Sequence, residues 1–243
     1  MPRIATIHQP EHLPWLGFFA KVAAADLLIS LDTVPFRKNY FQNRNRILGF
    51  DGAPHWLTVP VHLDRHRHGE IRQVRIADDR RWRNKYLRTL EQRYRKHAHF
   101  EEVFTPIAAI VEREWVRLAD LNHALIDALL EKLGIATPVL IAGDLGGDGS
   151  RSRLLADLCR RAGADVYLSG PSGRDYLDFE PFHRLGIEVR FHDYVHPAYT
   201  QAGTTAFVSH LSAVDLLFNA GPSAGEILRR GSRIAEGNRE SSP

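Results

Sequence analysis

One cysteine, Cys159, stands in 243 residues, so no disulfide can close within the chain and a disulfide-stapled scaffold is excluded. Without partnering cysteines, the thirteen histidines cannot build a zinc finger. No apolar run reaches the ~20 residues that span a bilayer, and residues 1–8 show no basic stretch ahead of an apolar signal core. Net charge is only +3. The sequence pI near 9.1 reflects a modest excess of arginine and does not by itself point to nucleic acid. Internal repeats and low-complexity linkers are missing, as are the P-loop lysine, the dinucleotide glycine spacing and a Ser-His-Asp elbow. The expectation is a cytoplasmic protein that works on a small molecule, with no nucleic-acid partner, no membrane partner and no metal. A homodimer stays allowed.

What is present suits a packed α/β fold: 44% of residues are hydrophobic and 25% charged. "RIATIH" (3–8) reads as a buried strand. Residues 13–25 read as a buried helix with Pro14 in its first turn, and "LLISLD" (27–32) as a second strand, giving a βαβ unit. Residues 43–48, 55–61 and 71–77 alternate enough to be antiparallel strands, a β-rich insertion near 36–80. Apolar residues recur at helical spacing across 82–135, with Pro106 near a helix start. Strands are then expected at 138–144, 165–170 and 187–191, and helices at 152–162 and 212–220. The fold class expected is a three-layer, Rossmann-like or nucleotidylyltransferase-like parallel-sheet core in a single domain over 1–243. "GNRESSP" (237–243) reads as a polar tail.

The first strand ends in "IHQPEHLPWLGFF" (7–19), where His8, Gln9, Glu11 and His12 crowd the turn before a hydrocarbon-rich helix. In open parallel sheets, ligands bind outside the carboxyl ends of strands. His8 and His12 are therefore the expected acid–base residues, since an imidazole exchanges protons near neutrality. The frame also resembles the His-x-Gly-His loop of nucleotidylyl transferases. Gln9 and Glu11 replace the first histidine and the glycine, His12 opens the helix, and Asp26 precedes the next strand. "FRKNYFQNRNRI" (36–47) adds Arg37, Lys38 and Arg44 to hold an anion, with Gln42, Asn43 and Asn45 to orient a polar ligand. His8 and Asn43 are expected in one cavity. "GDLGGDGSRSR" (143–153) brings Gly146, Gly147, Ser150 and Ser152 to a helix start suited to phosphate. Ser169, Asp175 and Tyr176 follow a third strand. Cys159 shares a helical stripe with Leu154, Leu155 and Leu158 and reads as core. "HRHG" (66–69) and His62 lack a fixed metal-ligand spacing.

Several of these stretches together resemble the WbqC-like protein family: "IHQPEHLPWLGFFAK" (7–21), "LDTVPFRKNYFQNRNRI" (31–47), "WLTVPV" (56–61), "SRLLADLCRRAGADVYLSG" (152–170), "DYLD" (175–178) and "LSAVDLLFNAG" (211–221). The resemblance spans most of the chain and is weakest across 82–135. It implies a surface-polysaccharide or natural-product setting, and it carries over no catalytic residue. The function expected is a transferase modifying an amino-sugar nucleotide or related metabolite by acyl or aminoacyl transfer, with a nucleotide-linked donor or substrate as one form of its ligand. Nucleotidyl transfer on the His12 frame, or a non-catalytic binding or scaffold role in a carbohydrate pathway, are the alternatives.

Overall fold

The computed structural model describes residues 1–62, 69–77 and 80–236, without the Arg80 side chain. The histidines at 66 and 68 and the tail at 237–243 lie outside the described residues. In chain order the elements are β1 (Ile4–His8), α1 (Leu16–Ala23), β2 (Leu27–Ser30), β3 (Arg44–Leu48), β4 (Pro54–Thr58), α2 (Arg80–Tyr94), α3 (Phe100–Glu112), α4 (Leu118–Lys132), β5 (Val139–Ile141), α5 (Ala142–Leu145), α6 (Ser152–Arg161), β6 (Val166–Ser169), α7 (Glu180–Arg184), β7 (Glu188–Tyr194), α8 (Ala213–Ala220), α9 (Ala224–Arg229) and β8 (Ser232–Glu236). Six strands form one sheet in the order β5-β2-β1-β6-β7-β8, parallel except where β8 runs antiparallel along β7. β3 and β4 make a separate antiparallel pair.

The central strands are apolar without alternation because both faces are covered. On β1, Ala5 and Ile7 face one core with Leu155, Leu158 and Cys159 of α6. On β2, Leu28 faces the other core, built by Phe18 and Phe19 of α1 together with α2, α3, α4 and α8. Cys159 is fully buried, and burial pushes its thiol up to about 12. It is an apolar filler with no readily formed thiolate.

Three local expectations need correction. Pro14 lies before α1, whose N-cap is Trp15. Pro106 lies inside α3 rather than near its start. Residues 71–77 do not form a strand. Ile71–Gln73 is a 3-10 turn closed by reciprocal bonds between Glu70 and Gln73, followed by single bridges at Arg75 and Ile76. The buried positions there are Ile71, Val74 and Ile76, and a step of three between the first two suits a turn better than a pleat. The edge strand β8 had no counterpart in the sequence reading.

Candidate functional site

Strand order fixes where a ligand can enter. From β1 the chain moves outward to β2 and β5, then returns to lay β6 on the other side of β1 before moving out to β7 and β8. The reversal falls between β1 and β6, and such a switch point opens a crevice at the carboxyl edge of an open sheet. A cavity of about 650 Å³ lies there, reached by Ile7 and His8 from β1 and by Tyr167 and Ser169 from β6. A second cavity of about 400 Å³ lies toward α1 and β7, against Trp15, Phe18, His192 and Tyr194. His8, Glu11 and Lys21 line both.

These three side chains form the electrostatic centre of the site. His8 is the last residue of β1. Its Nδ1–H donates to the Gln9 carbonyl at 3.1 Å, which leaves Nε2 as an acceptor, and its ring packs edge-on against Phe18 at 4.8 Å. Glu11 Oε1 lies 4.0 Å from His8 Nδ1, while Glu11 Oε2 is buried with no hydrogen-bond partner. Lys21, buried in the last turn of α1, donates from Nζ to the Ile7 carbonyl at 3.2 Å. Burial dominates all three. It raises the Glu11 carboxyl to about 7 against the opposing pull of Lys21, and lowers Lys21 to about 8 against Glu11. Burial, reinforced by the Lys21 charge, lowers His8 to about 3. His8 is therefore a neutral hydrogen-bonding group at pH 7, and Glu11 is the carboxylate poised to exchange protons there.

Of the residues expected from sequence, His8, Gln9, Glu11, Arg37, Ser152, Ser169 and Tyr176 meet at the larger cavity. The others do not line either cavity. His12 is fully buried, and both its ring nitrogens are engaged, Nδ1 with Asn122 Oδ1 at 2.9 Å and Nε2 with the Tyr86 hydroxyl at 2.8 Å. Its ring ties α2 to α4 and does not line either cavity. Asn122 Nδ2 in turn donates to the carbonyls of Pro10 and Gln42, both at 2.8 Å. Asn43 donates to the Val59 carbonyl and Asn45 to those of His12 and Leu13. The expected meeting of His8 and Asn43 in one cavity is thus not found. Gln42 accepts the Arg37 backbone N–H and donates to Gln9 Oε1, each at 2.7 Å, so it sets the wall without forming it. Arg44 lies 4.0 Å over the Trp56 ring, and Lys38 is exposed.

In the glycine-rich stretch, Gly146 caps α5 with a left-handed φ of 65°. A side chain at Gly147 would collide with Leu154 and Leu158. Ser150 and Asp175 are exposed away from the two cavities. These positions shape the loops and do not reach the ligand space. Asp26 bonds the Ile4 N–H at the amino end of β1, the opposite sheet edge from His8, so the nucleotidylyl frame does not assemble at the site.

The sequence reading missed Lys21, Arg151 and His192, which line one or both cavities, as does Tyr40 of the expected 36–47 cluster. Lys21 had a signal, as the only charge in "LGFFAKVA". His192 is 1% exposed, and its Nε2 has no partner. Among the described residues, no group of three or more His, Cys, Asp or Glu is placed to hold a metal ion. No helix among them is long and apolar enough to cross a membrane.

The sequence model of the WbqC-like protein family matches residues 9–227. A Mycobacterium tuberculosis protein, named Uncharacterized protein Rv1507c, is 35% identical over 230 residues, covering 94% of this chain and 98% of its own length. No solved structure matches the chain.

Proposed function

Since the chain belongs to the WbqC-like protein family, and since that membership names no reaction, we propose from the site itself that the protein is a transferase acting on two small molecules. It moves an acyl or aminoacyl group onto the amine of a small metabolite, an amino sugar foremost. The observation that carries this reading is the shared wall: His8, Glu11 and Lys21 stand between two cavities of about 650 and 400 Å³. A wall common to two chambers lets donor and acceptor meet at one proton-exchanging group, and holding both there supplies the entropic part of the acceleration.

The free amine attacks the carbonyl carbon of an activated donor, an ester or thioester. The ionised Glu11 carboxylate takes the proton shed by the attacking nitrogen. The C–N bond forms, the C–O or C–S bond breaks, and the proton passes from Glu11 to the leaving oxygen or sulfur. Lys21 supplies positive potential beside the carbonyl oxygen as charge develops on it. His8 holds its Nε2 as an acceptor for the amine or a neighbouring hydroxyl.

The test is a mass-spectrometric screen of amino sugars and other small amines against acyl thioesters and aminoacyl esters. An amide product with the parent, absent with Glu11→Gln, is the expected result. No product from any pair, or equal product from the variant, contradicts the reading.

Lys21 also tunes the base, and this gives a prediction. Its positive charge holds the Glu11 carboxyl below the value that burial alone would impose. Lys21→Met should therefore move the rise of kcat/KM with pH to higher pH, in addition to lowering the plateau. The check is a pH–rate profile of parent and variant. An unmoved or acid-shifted midpoint would show that Lys21 does not act on the titrating group.

A further inference from the structure

We propose that the larger cavity holds a nucleoside diphosphate carried by one of the two substrates, with its diphosphate on Arg37 and Arg151 and its base against Tyr40 and Tyr176. This deepens the transferase reading, on which it rests for where the reacting end lies.

All four residues line the cavity at the switch point between β1 and β6. Among the described residues, neither guanidinium meets a carboxylate. The Arg37 guanidinium lies over the Tyr40 ring, 6.0 Å from its centroid. Other arginines among the described residues do pair, as Arg174 does with Asp193 and Arg190 with Glu188. Two that meet no carboxylate among the described residues, on one cavity, make an anion-attracting wall, and the guanidinium fork matches phosphate oxygens.

They arrive from separate segments, Arg37 after β2 and Arg151 immediately before α6. Two separated forks suit two linked phosphates better than one. Arg151 holds φ 51°, ψ −131°, a conformation that glycine takes without cost and arginine does not. Ser152, which opens α6, lines the same cavity.

Tyr40 and Tyr176 are 44% and 65% exposed. Large aromatic faces left to water at a cavity mouth, next to arginines, suit a nucleobase, since every base offers a π-face. Farther in, the unpartnered, buried Glu11 Oε2 calls for a hydrogen-bond donor on the ligand. The chemistry that meets all of these is a base, a diphosphate, and a donor-bearing group beyond it. A cavity of about 650 Å³ accommodates a ligand of that class.

Calorimetric titration of the full chain tests this without any turnover, using the diphosphates of uridine, thymidine, cytidine, guanosine and adenosine, and inorganic pyrophosphate. At least one nucleoside diphosphate should bind about tenfold or more tighter than pyrophosphate. Arg151→Gly should weaken it about ten- to a hundredfold and yet raise the melting temperature, because glycine relieves the backbone. Tyr176→Ala should bring nucleotide affinity down toward that of pyrophosphate, whose own binding it leaves unchanged. The proposal is overturned if no nucleoside diphosphate binds at millimolar concentration, if pyrophosphate binds as tightly as the best nucleotide, or if Arg151→Gly binds like the parent. Nucleotide binding that persists in Glu11→Gln, with no amide formed by the parent in the transfer screen, would sink the transfer chemistry and leave the nucleotide site standing.

Discussion

Glu11→Gln should cut amide formation by about 10²–10⁴-fold and at the same time make the protein melt later above pH 7. The two effects share one cause. Glutamine keeps the shape and a hydrogen-bonding carbonyl but cannot take a proton from the attacking nitrogen. It also removes a charge that the fold holds out of water. The Glu11 carboxyl rises from 4.5 to about 7 on folding, first because of burial and despite the counteracting Lys21 charge. A carboxyl raised in the folded state binds protons that the unfolded chain has released. Its contribution is therefore fully favourable below 4.5 and is lost as pH climbs through about 7. The loss is on the order of 3 kcal/mol. Parent and Glu11→Gln should differ little in melting temperature at pH 4.5, and the variant should lead at pH 8. Paired thermal denaturation across that range, together with turnover, is the check. A variant that melts with the parent at both ends, or that turns over normally, contradicts the assignment.

His12→Ala should do the reverse, costing stability before chemistry. The imidazole bridges Asn122 on α4 and Tyr86 on α2, and its removal leaves a buried amide oxygen and a buried hydroxyl without partners. Each such orphan costs about 1–3 kcal/mol, and the vacated space adds to that. A total loss of about 3–5 kcal/mol is expected, among the larger effects of a single substitution. Burial lowers the His12 pKa from 6.5 to about 4, with the Asn122 bond opposing. A depressed histidine supports the fold above 6.5 and loses that support as pH falls through about 4. The gap between parent and variant should narrow on acidification. Urea denaturation at pH 7.5 and pH 4.5 measures it. A His12→Ala protein as stable as the parent at pH 7.5 would return this histidine to the list of ligand-facing groups.

The contrast between these neighbours shows what the sequence could and could not convey. The crowding of polar residues after β1 was legible, because nothing in a buried strand needs His8, Gln9 and Glu11 together. Which of them faces a cavity was not. His12 finds its partners 110 and 74 positions away, so the chain near residue 12 says nothing about whether its ring is spent. The amides of "NYFQNRN" were no easier to place, for the same reason. Carboxamides that orient a ligand and carboxamides that staple loops have the same composition, and Asn43 and Asn45 turn out to bond backbone carbonyls. The parallel core was legible from its unbroken apolar runs. The switch point was not, because it depends on β6 settling beside β1 some 160 residues away, as in the Thr6 hydroxyl that donates to the Leu168 carbonyl across a separation of 162. Lys21 could have been found as a lone charge in a helix buried on most of its surface. Arg151 could not, since its left-handed backbone is imposed by the turn into α6.

A carboxylate poised near neutrality on the wall between the two cavities is the centre of this account, and its titration can be observed without substrate. With glutamate labelled by carbon-13 at the side-chain carboxyl, one resonance present in the parent and missing from Glu11→Gln should titrate with a midpoint near 7. The same resonance should move to a higher midpoint in Lys21→Met. A midpoint at the ordinary value of 4.5, unchanged by removing Lys21, would contradict the account.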